Sequence, residues 1–325
     1  MHLVKSFIHR SLLLSLTISS CVFHACGTPS AVIAVIPRTT ARMYWEAEHA
    51  GAELAARQYG AQIRWNAPTR DDDLQMQIEM VDQAVSGRCR GLILAPDEPR
   101  AMMVPVERAL AAGVPTVVVG AGLSLPPQKN LAYIVNDDAM IGSMAAARVG
   151  EVLHGKGEVV IIGIDPQSLA SLEVLRSFIS SIQTRYPDIA VVDRRPNTTN
   201  DLESELIVSQ ALMSHPGTNA IFSLDEIGTY GAFLALKSRS LTGKVRVIGV
   251  RQSDELINAL RMHEIDALIA ENTYQMGFQA VQLLVHGLPQ ATQTVKLPPL
   301  LITAANVDAP ATKLYVTNRW NGDLQ

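Results

Sequence analysis

The chain has 325 residues, of which 48% are apolar and 18% charged, and its net charge is −4. That mixture fits a packed core large enough for two lobes and excludes a disordered polyelectrolyte. No basic run follows the N-terminal segment, so nucleic acid is not expected as a partner.

Lys5, His9 and Arg10 form a basic segment ahead of the apolar run Leu12 to Ile18, which is too short to span a bilayer. Ile18-Ser19-Ser20-Cys21 then matches a bacterial lipobox, with Cys21 as the lipidated residue. Ordinary secretory cleavage that discards Cys21 stays open. Cys26, followed by Gly27-Thr28-Pro29-Ser30, is a rival site, with His24 arguing against it. Residues 1–26 thus read as signal peptide and tether. The protein is expected in the periplasm or cell envelope, touching the membrane only through a lipid anchor. Three cysteines are too few for a disulfide framework. No CxxC cluster is present, so no metal is expected. Cys89, in Gly87-Arg88-Cys89-Arg90-Gly91, reads as a small buried thiol at a helix–strand junction.

From residue 31 onward, short β-branched runs alternate with amphipathic stretches. Strands are expected at Ala31–Ile36, Gln62–Trp65, Gly91–Leu94 and Thr116–Val119, with helices near Met43–Tyr59, Asp71–Ser86 and Arg100–Ala112. Gly60, Gly87 and Gly113 stand where left-handed helix caps would lie. A short strand near Ala132–Val135 separates this half from a second one. There, strands are expected at Glu158–Ile162, Ile189–Asp193, Ala220–Ser223, Lys244–Val250 and Ala267–Ala270. Helices are expected near Ser168–Arg185, Leu202–Ser214, Thr229–Ser238, Ser253–Met262 and Tyr274–His286. A final strand, Leu300–Thr303, follows. This rhythm predicts an α/β fold of two Rossmann-like, doubly wound parallel-sheet lobes joined by a multi-stranded hinge. The expected first lobe is 31–134 plus 272–299, and the second is 135–271 plus 300–325.

Ligands of open parallel sheets bind outside the carboxyl ends of the strands. Tyr44-Trp45 follow the first strand, in a chain only 5% aromatic, and their flat rings suit stacking on a ligand. Asp225 opens a helix after Ala220–Ser223, a position for both a cap and a ligand contact. Asn136-Asp137-Asp138 also begin a helix and read as a cap. Glu271 follows Ala267–Ala270. Arg251 ends the run Val247-Ile248-Gly249-Val250, an unusual place for a cation. Gly120-Ala121-Gly122 lacks the third glycine of a dinucleotide fingerprint, and neither a GxSxG elbow nor a GxxxxGK[ST] loop occurs. The histidines pair with no nucleophile. No catalytic residue and no cofactor is expected.

The ordered segments "IAVIPRTTARMYW", "ALAAGVPTVVV", "IFSLDEIGTYGAFLAL" and "VRVIGVRQSDEL" resemble the type I periplasmic substrate-binding proteins of the ribose/pentose group, the binding components of sugar ABC importers. The likeness covers most of residues 31–307. It also extends to the effector domain of lac-repressor-type regulators, but a signal peptide stands where their helix-turn-helix would be. The resemblance implies two lobes, three hinge crossings and closure on a monosaccharide. Tyr44, Trp45 and Asp225 match the family's ligand positions. Other positions depart: Gly120 replaces an acid, Leu172 an arginine, Arg251 an aspartate and Glu271 a glutamine. Arginine donates but does not accept. Arg251 thus points either to an acidic ligand or to an internal partner such as Asp225 or Glu271. The implied function is an exported, monomeric solute-binding protein that docks an ABC permease and binds a sugar or sugar-like ligand through Tyr44, Trp45, Asp225, Arg251 and Glu271. A periplasmic sensor presenting its closed form to a membrane receptor is the alternative.

Overall fold

The structure is a computed structural model and describes residues 32–40, 44–70, 73–288 and 294–316. Cys21 and Cys26, and so both lipidation expectations, lie outside the described residues.

The chain runs β1 (Val32–Ile36), α1 (Tyr44–Tyr59), β2 (Gln62–Trp65), α2 (Leu74–Ser86), β3 (Gly91–Leu94), α3 (Met103–Ala111), β4 (Thr116–Gly120) and β5 (Leu131–Asn136). It continues as α4 (Asp138–Val152), β6 (Lys156–Ile164), α5 (Leu169–Arg185), β7 (Asp188–Pro196), α6 (Asp201–Ser214), β8 (Ala220–Ser223), α7 (Glu226–Ser238), β9 (Arg246–Val250), α8 (Asp254–Arg261) and β10 (Ala267–Ala270). It finishes with α9 (Thr273–His286), β11 (Thr294–Leu297), β12 (Leu300–Ile302) and α10 (Pro310–Val316).

Two six-stranded sheets result, ordered β11-β5-β4-β3-β1-β2 and β12-β10-β9-β8-β6-β7. All ladders are parallel except the one joining β12 to β10. Helices cover both faces, so β3, β8 and β10 are buried at every residue and carry no alternation. In the first sheet, Ile33 and Val35 face a core shared with Ala52, Met276 and Val281, while Ala34 and Ile36 face Val81, Met102 and Val106. The second sheet repeats this: Val160 and Ile162 meet Val208 and Leu236, and Val159 and Ile161 meet Ile141 and Phe178.

The sheets are linked by three passages. β5 belongs to the first sheet, and α4 packs on the second. β10 belongs to the second sheet, and α9 packs on the first. β11 lies in the first sheet and β12 in the second, with Pro298-Pro299 between them. The expected division at 134/135 falls inside β5, where Val135 and Asn136 pair with Lys296 and Leu297 of the first sheet. β11 itself was not foreseen.

Two local expectations need correction. Gly60 and Gly113 take the left-handed conformation, but Gly87 stays right-handed at φ −72° and Arg88 makes the left-handed turn at φ 53°. The helix runs on for one more right-handed residue before it reverses. Cys89 is half-buried, not enclosed; burial still pushes its thiol up.

Candidate functional site

Because the strands run parallel, their carboxyl ends share one edge of each sheet, and the expected ligand residues gather there. Three of these ends turn through the left-handed region: Gly120, the last residue of β4 (φ 75°), Gly163 within the end of β6 (φ 77°) and Arg251 after β9 (φ 70°). Glycine takes that conformation at no steric cost, whereas an arginine is strained there by about 1–2 kcal/mol. Such strain marks a position held by its surroundings.

Those surroundings are specific. Glu271, on the passage from β10 to α9, is 4% exposed. Its Oε2 accepts hydrogen bonds from Tyr44 Oη and from Arg251 Nε, the latter at 3.2 Å. The Arg251 guanidinium carbon lies 5.1 Å from the centroid of the Tyr44 ring, a cation–π contact. The Arg251 backbone N–H is tied to Ile269 O at 2.9 Å. One residue from each lobe therefore meets a third on the connection between them. The charges act on one another as expected: Glu271 raises the Arg251 pKa further above its ordinary value, and Asp225 adds to that effect. The Tyr44 hydroxyl is driven well up, first by burial and then by Glu271.

Asp225 caps α7, accepting from Gly228 N at 2.6 Å, and its carboxylate lies against Gly163. A Cβ at 163 would stand 2.9 Å from Asp225 Oδ1, which is why that strand end carries no side chain. Trp45 is half-buried, stands edge-on to Tyr44 with centroids 4.9 Å apart, and lies over Gly120. The acid expected by resemblance at 120 is absent, and a Cβ there would meet nothing nearer than the Trp45 ring, at 4.0 Å. Tyr44 and Trp45 therefore differ: Tyr44 is 7% exposed with its hydroxyl turned to Glu271, while Trp45 is half-buried against the first lobe's core.

Sequence reasoning placed a helix cap at Asn136-Asp137-Asp138 but missed the contacts of Asp138 and the role of Gln77. Asp137 is the cap of α4, accepting from Met140 N at 3.1 Å. Asp138, next to it, is half-buried and interacts with Glu271, Arg251 and Lys296 of β11. Its place at the end of β5 was the available signal. Arg38, after β1, donates its Nε to Asp97 at 2.7 Å and is otherwise largely open. Gln77 pins the ends of β1 and β3, donating to Pro37 O and Ala95 O and accepting from Asp97 N. Among the described residues no group of three or more His, Cys, Asp or Glu could hold a metal ion. No described helix is long and apolar enough to cross a membrane.

Residues 33–288 match the family described as periplasmic binding protein domain. The chain belongs to this family. Membership implies an extracytoplasmic location. A D-allose-binding periplasmic protein of Escherichia coli K12 is 22% identical over 278 residues, covering 84% of this chain and 88% of that one. A ribose import binding protein of Bacillus subtilis is 24% identical over 231 residues, covering 70% and 73%. Among solved structures, a sugar ABC transporter sugar-binding protein from Bacillus halodurans superposes with a TM-score of 0.81 at 23% identity, covering 85% of this chain and 99% of that one. That likeness supports the two-lobe fold read above.

Proposed function

We propose that this periplasmic binding protein is the solute-binding component of an ABC importer for a sugar or sugar-like molecule. The arrangement that carries the reading is the junction of the two lobes. Stacking surface from Trp45, donors from Arg251 and acceptors from Asp225 meet at strand ends beside the connecting passages. A monosaccharide needs these three: a flat apolar wall, and both kinds of hydrogen-bond partner for its hydroxyls. Family membership and relatives that bind D-allose and ribose support the same reading.

In this reading Trp45, Asp225 and Arg251 touch the ligand, while Tyr44 and Glu271 hold Arg251 in place. Asp138 joins the site from the α4 side. Ligand contacts to both lobes favour the closed form, which a permease then recognises. The chain acts as a monomer, lipid-anchored through Cys21. Its first lobe is built on the β11-to-β2 sheet with α9, and its second on the β12-to-β7 sheet with α4.

Thermal melts of residues 27–325 with D-allose, D-ribose and D-apiose test this directly. At ligand concentrations about 100 times Kd, binding adds about 2.7 kcal/mol, a clear rise in Tm. Trp45→Ala is expected to remove that rise while leaving the ligand-free Tm within a few degrees. A rise that survives the substitution would remove Trp45 from the site.

A further inference from the structure

The pairing of Arg251 with Glu271 bears on which ligands the cleft accepts, an inference that rests on the binding reading above. An arginine at a strand end, considered by itself, invites a carboxylate ligand. The geometry argues otherwise. Glu271 is buried, and its Oε2 takes both the Tyr44 hydroxyl and Arg251 Nε. The guanidinium is thus held on one side by a carboxylate and on another by the Tyr44 ring. Its side chain stays 40% exposed, so its remaining N–H groups still reach a ligand as donors.

The charge around it is already more than balanced. Asp225 adds a second carboxylate within electrostatic range of Arg251, and Asp138 interacts with both Glu271 and Arg251 from the α4 side. Among the described residues, Glu271 and Asp225 are thus two carboxylates acting on the one guanidinium of Arg251. A hydroxyl group accepts from Arg251 without adding charge. A ligand carboxylate would enter a pocket of the same sign and compete with Glu271 for its cation.

We propose that Glu271 is a selectivity residue: by neutralising Arg251 and holding it against Tyr44, it confines the cleft to uncharged polyhydroxy ligands and excludes sugar acids. The site keeps arginine's hydrogen-bonding fork and suppresses its charge. Glu271 acts through Arg251 and is a positioning residue.

The test compares the full chain with Glu271→Gln, which keeps the shape and the acceptor but removes the charge. D-allose and D-ribose are titrated calorimetrically alongside their acids, D-allonate and D-ribonate. The expected wild-type result is binding of an aldose and no measurable binding of its acid. In Glu271→Gln, acid affinity rises by about tenfold or more, and the gain disappears when Arg251→Gln is added. A wild-type protein that binds acid and aldose equally overturns the proposal, as does an unchanged acid-to-aldose ratio in Glu271→Gln.

If no sugar binds either protein, the binding reading fails for these ligands, and the lock is judged separately. Melts of ligand-free Arg251→Gln, Glu271→Gln and the double variant form a cycle. A coupled pair gives a double variant that loses less stability than the two single losses added together. Strictly additive losses would show that Glu271 does not hold Arg251, and the proposal would fall.

Discussion

At the start of α4, Asp138 is buried enough to hold its proton near neutral pH. Burial raises its pKa most, Glu271 and Asp137 add to the rise, and Arg251 and Lys296 oppose it; the net effect lifts it from 3.8 to about 7. The sign for stability follows from which state holds the proton. Below about pH 4 the carboxyl is protonated whether the chain is folded or not, so it contributes nothing. Between about pH 4 and pH 7 the folded protein binds the proton more tightly, so stability falls as pH rises. Above about pH 7 the loss is constant. Asp138→Asn is therefore expected to raise stability at about pH 8 by about 1–2 kcal/mol once partial solvent exposure is discounted, seen as a higher Tm, and to change nothing at about pH 4. Melts of both proteins across that range check it, and a constant offset between the curves would refute it. Glu48, fully buried on α1, is a different case. Neither of its carboxyl oxygens has a hydrogen-bond partner among the described residues, and burial alone pushes it up to about 8. It is neutral at about pH 7 and fully buried.

Between elements, the closest contact is the seam of α1 and α9. A Cβ built at Gly51 would lie far inside van der Waals contact of Tyr274 O, and one at Gly277 far inside that of Glu48 O. The helices meet backbone to backbone, which only glycine allows. Gly277→Ala has no flexible side chain to push aside, so it is expected to cost about 3 kcal/mol or more, or to prevent folding. Urea melts would measure it, and a loss under about 1 kcal/mol would mean that the seam opens easily. The sequence made much of this architecture readable. Gly91–Leu94, Ala220–Ser223 and Ala267–Ala270 fell where expected because continuous apolar runs between helices suit strands covered on both faces, and Gln62–Trp65 did so as an alternating edge strand. α4 was foreseen only at its cap, because Gly142 and Gly150 weaken its helical signal; both are there so that Val174 O and the Tyr186 ring can approach. β11 escaped because it is a four-residue edge strand, half of it exposed and polar. Arg251, Glu271 and Asp225 were each visible as strand-end residues. That Glu271 would take Arg251 as a partner was not, since spacing along the chain does not tell a ligand contact from an internal pair.

Over the whole molecule, the passages between lobes are joined to one another. Asp137 N–H donates to Leu297 O at 3.0 Å, linking the first passage to the third. Tyr315 of α10 accepts from Gln252 at its backbone oxygen and from Asn272 at its hydroxyl, tying the end of β9 to the second passage. The connection thus behaves as one hinge, and closure is expected to be a rigid rotation of intact lobes. Small-angle scattering checks this: a saturating aldose should lower the radius of gyration while the amide protection of β3 and β8 stays unchanged. Loss of protection in either strand would mean that a lobe deforms when ligand binds.

The passages also set the order in which the protein is made. The first five strands leave the ribosome early, but α9 and β11, which complete that sheet, come only after the whole second sheet up to β10. The lobe begun first is thus completed only after five of the six strands of the second sheet have been made. Until then its nascent form exposes the β5 edge that β11 will cover and the apolar groove that α9 will fill.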